Sequence, residues 1–236
     1  DGILCGVELA KKIFAKFDPT LKMTQYLHDG DAIKKGDVAF VVEGKTISIL
    51  QTERLVLNFM QRLSGIATQT HEYVKLLEGT GTKILDTRKT TPGLRLLEKY
   101  AVKVGGGENH RIGLYDMILI KDNHIDYAGG VTAAITKTKE YLKAKGKNLK
   151  IEVEARTLDE IKEILNFDVD RILIDNFTPE ETKTAIALIN GKCKTESSGG
   201  ITKESIRAYA EAGVDYISVG ALTHHISSLD LSLKAF

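Results

Sequence analysis

From residue 82 onward, short apolar runs alternate with amphipathic stretches. The runs are TKILD (82–86), DMILI (116–120), KIEVEA (150–155), DRILID (170–175), CKTES (193–197) and DYISVG (215–220). Between most of them, apolar positions recur at steps of three and four, over 92–104, 130–145, 157–165, 178–190 and 202–212. That period predicts helices with one buried face. Short buried strands joined by helical crossovers predict an α/β fold with a parallel sheet, open or closed into a barrel. In either form, functional groups gather at the C-terminal ends of the strands.

Upstream, residues 1–50 read as a small lobe rich in strands. Val7, Ala10, Ile13, Phe14 and Phe17 share one face of a predicted helix. KMTQYLH, DGDAIKKGD, VAFVVEG and KTISIL follow as strand candidates separated by glycine signals. DGDAIKKGDVAFVVEG resembles the folded strands of biotinyl and lipoyl carrier modules, but no lysine stands at a Met-Lys-Met tip, so no carrier is predicted. A long helix is predicted from about Glu53 to Glu78, interrupted at Gly65 and bridging the lobe to the main domain. The predicted domains are 1–55 and 56–225, with the tail from about 226 to 236 packing on the lobe.

Charge narrows the possible partners. Lys and Arg total 33 against 32 Asp and Glu, a net charge of +1. No global field draws such a chain onto nucleic acid or membrane, so any anion site is a local cluster. No apolar run approaches the roughly 20 residues of a membrane span, and no signal-peptide pattern opens the chain. Cys5 and Cys193 have no metal-ligand spacing and read as structural thiols of a reducing compartment, the cytoplasm. The chain opens at Asp1 without Met, which suggests a preceding segment.

The polar residues that follow the strands form two zones. Thr87-Arg88-Lys89 follows the first strand, and GGGENHR brings His110 and Arg111. Lys121 directly follows MILI, Glu154 ends KIEVE, and Asp175-Asn176 ends RILI. Ser198-Gly199-Gly200 and Gly220-Ala221 follow the last two strands. Singly, each has a bland reading. Arg88 and Lys89 suit a solvated face, His110 a satisfied histidine, Lys121 a pair with Asp122 or Asp86, and Glu154 and Asp175 helix caps. Seven polar strand ends together point to a site. Glycines before a helix let backbone N–H groups approach a phosphate, so Ser198-Gly199-Gly200 and Gly220-Ala221 predict a phosphomonoester site. Arg88, Lys89, His110, Arg111 and Lys121 form a second anion zone. Glu154 and Asp175 stand between as hydroxyl acceptors or Mg²⁺ ligands. A sugar phosphate, another polyanion and a small carboxylate fit this set.

LDTRKTTPGLRLLEKYAVKVGGGENHRIGLYDMILIKDNHI, with TERLVLNFMQRLSGIAT, IEVEA, ILIDN, ESSGGI and GVDYISVGALTH, closely resembles the quinolinate phosphoribosyltransferases, the carboxylating nicotinate-nucleotide pyrophosphorylases. The resemblance runs along essentially the whole chain. It implies an incomplete parallel α/β barrel with a small N-terminal α/β sandwich lobe, and a helical segment before Asp1. It also implies that quinolinate and phosphoribosyl pyrophosphate give nicotinate mononucleotide, pyrophosphate and CO₂, with Mg²⁺, in NAD biosynthesis. Thr87, Arg88, Lys89, His110, Arg111 and Lys121 resemble the quinolinate pocket, with Arg54 given to the neighbouring subunit of a homodimer. Lys89, Glu154, Asp175, Ser198, Gly199, Gly200, Gly220 and Ala221 resemble the phosphoribosyl site. Lys121, Glu154 and Asp175 take the catalytic roles, the two acids also meeting Mg²⁺, directly or not. Arg156 stands where an acidic or small residue is more usual. Three alternatives stay open: transfer to another heterocyclic acid, a Schiff-base aldolase using Lys121, and a binding protein without catalysis.

Overall fold

The computed structural model describes residues 1–235. Chain order begins β1 (Gly2–Ile3), α1 (Val7–Phe17), β2 (Lys22–Gln25), β3 (Ala32–Ile33), β4 (Phe40–Glu43), α2 (Thr46–Leu76), β5 (Lys83–Leu85) and α3 (Arg95–Val104). It continues β6 (Ile118–Ile120), α4 (Asp122–Ala128), α5 (Val131–Ala144), β7 (Ile151–Ala155), α6 (Leu158–Ile164) and β8 (Arg171–Asp175). It closes with α7 (Pro179–Ile189), β9 (Lys194–Ser198), α8 (Ile206–Glu211), β10 (Tyr216–Ser218) and α9 (Ala221–His224). Two compact units result. One joins Asp1–Lys75, Lys89–Asn109 and the chain from Gly220 onward; the other joins Leu76–Arg88 and His110–Val219.

In the first unit, β1 pairs antiparallel with β3 and β2 with β4. Leu4, Val7, Ala10, Phe14, Val56 and Met60 form its apolar core, with Phe40, Val42 and Leu231 packed against it. Phe17, expected on the buried face of α1, is 51% exposed at the end of that helix. KTISIL is not a strand: residues 46–50 open α2. Ser48, Thr52 and Val56 are buried at steps of four, whereas Ile47 and Leu50 are exposed, so the helical period prevails over β-branched propensity. Ser48 Oγ fastens this first turn by donating to Asp18 Oδ2 at 2.7 Å. The hydrogen bonds of Thr20 and Ser48 hold the Asp18 carboxyl down to about 2.

Helix α2 therefore runs unbroken through the expected boundary between residues 55 and 56. Gly65 does not interrupt it. A Cβ there would overlap the Ser227 carbonyl oxygen, so the glycine lets the C-terminal segment cross α2 at backbone distance.

In the second unit, six parallel strands lie in the order β5-β10-β9-β8-β7-β6. Strands β6 to β10 follow chain order and β5 adds beyond β10, which is the sequence of an α/β barrel. Among the described residues β5 and β6 do not pair, so the barrel is incomplete. One sheet face packs Ile151, Val153, Ala155, Ile172 and Ile174 against Ile135, Ile161, Ala185 and Ile189 of the helices. Two helix limits differ from expectation. Residues 122–128, of which 122–124 were read as a polar strand end, form α4, and the helix expected over 202–212 is only α8.

Helix propensity alone favours Ala over Gly at position 65 by about 1 kcal/mol. The close approach of Ser227 reverses the sign. Gly65→Ala is expected to lower the melting temperature in thermal denaturation; a raised one would show that the tail yields at no cost.

Candidate active site

Side chains alternate between sheet faces, so Glu152 and Glu154 share one face of β7, opposite the apolar cluster. Arg171, Leu173 and Asp175 share the matching face of β8, and Glu196 and Ser198 that of β9. Register places Asp175 beside Ser198 and Glu154 beside Leu173. Burial first, and Asp175 next, push the Glu154 carboxyl above its usual range, while Lys121 works against them. The Asp122 N–H points at Glu154 Oε1 across 3.4 Å. Lys121 thus bears on the Glu154 carboxyl, an acid that the sequence reading did not pair with it. Lys121 itself is exposed, and its N–H donates to His124 Nδ1 at 3.0 Å.

The glycine turn depends on Asn176, a residue to which the sequence pattern gave no role. Its φ of 59° is left-handed, a conformation Asn tolerates better than most residues. Its N–H donates to Ser198 O at 2.9 Å and its Nδ2 to Asp175 Oδ2 at 2.6 Å. A Cβ on Gly199 would overlap the Asn176 side chain. Asp175, Asn176, Ser198 and Gly199 are therefore one interlocked corner. An Asn directly after a strand-end acid was the available signal. Residues 201–205 separate the glycines from α8, so the expected helix start directly after them is not found.

Arginines gather where the second anion zone was expected. Burial and then the Arg88 charge depress the Arg111 guanidinium, with Glu152 and Asp116 opposing. Arg111 is 8% exposed and donates from Nη1 to Met117 O at 3.3 Å. Asp116 accepts the N–H groups of Ile112 and Gly113 at 2.7 and 2.9 Å, which folds the loop that carries Arg111. Two guanidiniums close enough to perturb one another favour an anion between them.

His110 is buried and its ring meets the glutamates of the sheet. Its N–H donates to Asp86 Oδ1 at 2.9 Å, and its Nδ1 accepts the Arg111 N–H at 2.7 Å. A neutral ring with Nδ1 accepting carries its proton on Nε2. That atom faces Glu152 Oε2 at 3.0 Å and Glu196 Oε2 at 3.5 Å. Arg171 lies 2.6 Å from Glu196 Oε2 and stacks over the Tyr216 ring at 4.2 Å. His110, Glu152 and Glu196 present ligand atoms within 4.8 Å of one another. A protonated Nε2 has no lone pair for a cation, and Arg171 already supplies the positive charge. The cluster is a buried polar core.

Neither Glu152 oxygen, nor Glu196 Oε1, meets a partner at hydrogen-bond angle. Burial, and then the Glu152 charge, push the Glu196 carboxyl up to about 7. These acids and Arg171 were read only as parts of buried strands. Charges at alternate positions of KIEVEA and at the start of RILID were the missed signal.

The other unit holds Arg54, Lys89, Gly220 and Ala221. Arg54 is exposed on α2. Thr223 Oγ1 donates to Lys89 O at 2.9 Å, and Gln69 Nε2 to Ala221 O at 2.9 Å. Arg156, the unusual residue after β7, lies on the surface and pairs with Asp126 and Glu160, each at 2.9 Å.

Comparison with known proteins yields consistent likenesses. A model of the quinolinate phosphoribosyl transferase N-terminal domain matches residues 1–64, and one of the C-terminal domain matches residues 66–234. The chain is 46% identical over 249 residues to quinolinate phosphoribosyltransferase [decarboxylating] 2b, mitochondrial, of Nicotiana tabacum, covering 99% of this chain and 70% of that protein. It is 46% identical over 233 residues to a probable nicotinate-nucleotide pyrophosphorylase [carboxylating] of Bacillus subtilis, covering 99% and 80%. The crystal structure of NadC from Streptococcus pyogenes superposes with a TM-score of 0.94 at 42% identity, covering 99% of this chain and 82% of that one.

The Glu196 shift has a defined sign. The reference carboxyl titrates at 4.5 and the folded one at about 7, so the folded state keeps its proton longer. Stability then falls as pH rises between those values and levels off above them, with a slope of at most about 1.4 kcal/mol per pH unit. Glu196→Gln is expected to flatten that fall in denaturant titrations across the same window. Equal slopes in both proteins would show that Glu196 does not hold this proton.

Proposed function

Because the chain belongs to the quinolinate phosphoribosyltransferase family, we propose that it joins quinolinate to the ribose of phosphoribosyl pyrophosphate with loss of pyrophosphate and CO₂, giving nicotinate mononucleotide. The observation that carries this reading is the desolvated Arg111 guanidinium beside Arg88. A substrate with two carboxylates neutralises that pair, and arginine suits bidentate grips. Thr87 borders this pocket through the chain, and Lys121 adds a compact charge. His110 serves it from behind, through the Arg111 N–H.

The chemistry asks mainly for positioning and field. The bond from ribose C1′ to pyrophosphate breaks, leaving cationic character on the sugar. Lys89 and Lys121 offset the departing negative charge. Glu154 and Asp175 accept from the ribose hydroxyls. The pyridine nitrogen bonds to C1′ and becomes positive. Its neighbouring carboxylate leaves as CO₂, and the carbanion, held by that adjacent positive charge, takes a proton from solvent. The ring is its own electron sink. Ser198, Gly199 and Gly200, with Gly220 and Ala221, bind the 5′-phosphate through backbone N–H groups.

A carboxyl whose proton affinity a second carboxylate raises also suits a hard cation, so Glu154 and Asp175 fit Mg²⁺. When bound, Mg²⁺ would neutralise charge on the pyrophosphate. A Schiff-base role for Lys121 is disfavoured, because that lysine is exposed among acids rather than held in an apolar pocket.

We place the enzyme in the cytoplasm, a reading supported by two free cysteines. No helix among the described residues is long and apolar enough to cross a membrane.

Quinolinate is expected to be turned over and nicotinate not. Nicotinate would leave a buried guanidinium without its carboxylate, a cost of several kcal/mol in order of magnitude. Release of CO₂ and formation of nicotinate mononucleotide are the measurements for quinolinate, and pyrophosphate release is the measurement for nicotinate. Comparable turnover of both acids would overturn the substrate assignment.

The proposed assembly is a homodimer in which Arg54 completes the partner's quinolinate pocket. A twofold interface gives and receives the same residue. Arg54→Ala and Lys121→Ala proteins are each expected to be nearly inactive. After subunit exchange, half the dimers are mixed and each has one intact site of two, so activity should recover to about a quarter of wild type. No recovery would place Arg54 within its own chain's site.

A further inference from the structure

The segments that carry Lys89 and Gly220-Ala221 are fastened by one network inside the first unit. Arg62 on α2 donates to Glu98 Oε1 through Nε at 2.9 Å and Nη2 at 2.7 Å. The same Nη2 reaches Thr91 Oγ1 at 2.7 Å and Thr223 O at 3.2 Å. Glu98 is fully buried and takes the Thr91 N–H on its other oxygen at 3.0 Å. Thr223, also fully buried, has one hydroxyl proton. It points to Lys89 O at 2.9 Å, with Gly220 O a second acceptor at 3.3 Å. Gln69, also on α2, holds Ala221 O at 2.9 Å.

Several links end on backbone atoms, those of Lys89, Thr91, Gly220, Ala221 and Thr223. A buried Arg–Glu pair is weak evidence for stability, since apolar residues of the same volume often do as well. What such a pair supplies here is a fixed place for Thr91 and Thr223. Thr223 in turn ties the residue after one strand end to the residue after another. Its hydroxyl anchors the Lys89 carbonyl, and that carbonyl fixes where the lysine side chain starts.

We propose that Thr223 is a positioning residue for phosphoribosyl pyrophosphate, backed by Arg62, Glu98 and Gln69. It sets the backbone of Lys89 against that of Gly220-Ala221. This rests on the phosphoribosyl roles proposed for Lys89, Gly220 and Ala221. The tie ends on the backbone of Lys89, Gly220 and Ala221, three residues of the phosphoribosyl set, whereas of the dicarboxylate set it holds only Lys89. Loss of the hydroxyl should therefore separate the two substrates.

Thr223→Val keeps the shape and removes the donor; Thr223→Ser keeps the donor. For Thr223→Val, the KM for phosphoribosyl pyrophosphate is expected to rise about tenfold. Quinolinate Kd by calorimetry should stay within about twofold, with the melting temperature little changed. Thr223→Ser should restore most of the affinity, which a purely structural role would not require. Gln69→Met, which cuts the Ala221 tie, should shift the same KM in the same direction and serves if Thr223→Val does not fold. Equal loss of both substrates, or no change in either variant, overturns the inference alone. A wild-type chain inert toward phosphoribosyl pyrophosphate overturns the functional reading and takes the inference with it.

Discussion

A parallel sheet that packs one face on helices has only its other face for polar chemistry, and that face must neutralise itself. Here it carries two buried glutamates, one arginine and one histidine within a few ångströms. Arg171 supplies one positive charge, and burial raises the proton affinity of both carboxyls, which limits the net charge the interior must hold. The strand ends inherit their order from this core. His110 is held by Asp86 on one side and the glutamates on the other, and Arg111 is held by His110. Glu154 stands two residues along β7 from Glu152, on the same face. Without an internally balanced core, neither the arginine pair nor the acid pair would keep its place.

Most of the sheet was legible because its outward positions are apolar and its connections amphipathic. Ile172 and Ile174 or Ile151 and Val153 announce a buried face without help from any neighbour. The inward face was less legible. Glu152 and Glu196 look alike in sequence whether they reach solvent or one another, and only the register of β7, β8 and β9 settles it. Arg88, Lys121, Glu154 and Asp175 were singled out because a charge at the end of a buried strand needs a ligand or a counter-charge to meet it. The sequence also left open which ring nitrogen of His110 faces Glu152. KTISIL misled because its β-branched residues alternate, while the Ser48-Thr52-Val56 stripe becomes visible only once the helix is extended backwards. Arg62 and Glu98 left no sequence signal, because a helical Arg and Glu far apart in the chain resemble any solvated pair.

Phosphate sites built from backbone N–H groups are accurate only if the backbone is held. The two glycine corners are held differently. Asn176 adopts a left-handed conformation and closes on Gly199 so tightly that no Cβ fits. The Gly220 corner has an ordinary conformation, φ −64°, and relies on side chains from helices for its position. The first corner adds a left-handed backbone to its hydrogen bonds, and the second rests on hydrogen bonds from helix side chains. Substitutions at the first should act through geometry, and at the second through the loss of donors.

The interleaving of the two units in sequence also bears on synthesis. The unit that begins at Asp1 is finished only by the chain from Gly220 onward, with Leu231 in its core and Ser227 against α2. On the ribosome, α1 and α2 therefore emerge with part of their apolar surface uncovered, and they wait for the segment from Gly220 onward. The other unit likewise needs Leu76–Arg88 and His110–Val219 together, because β5 pairs with β10. Contacts of such long sequence separation fold late. A nascent chain stalled before residue 220 would display α2 as an unfinished surface for chaperones to hold.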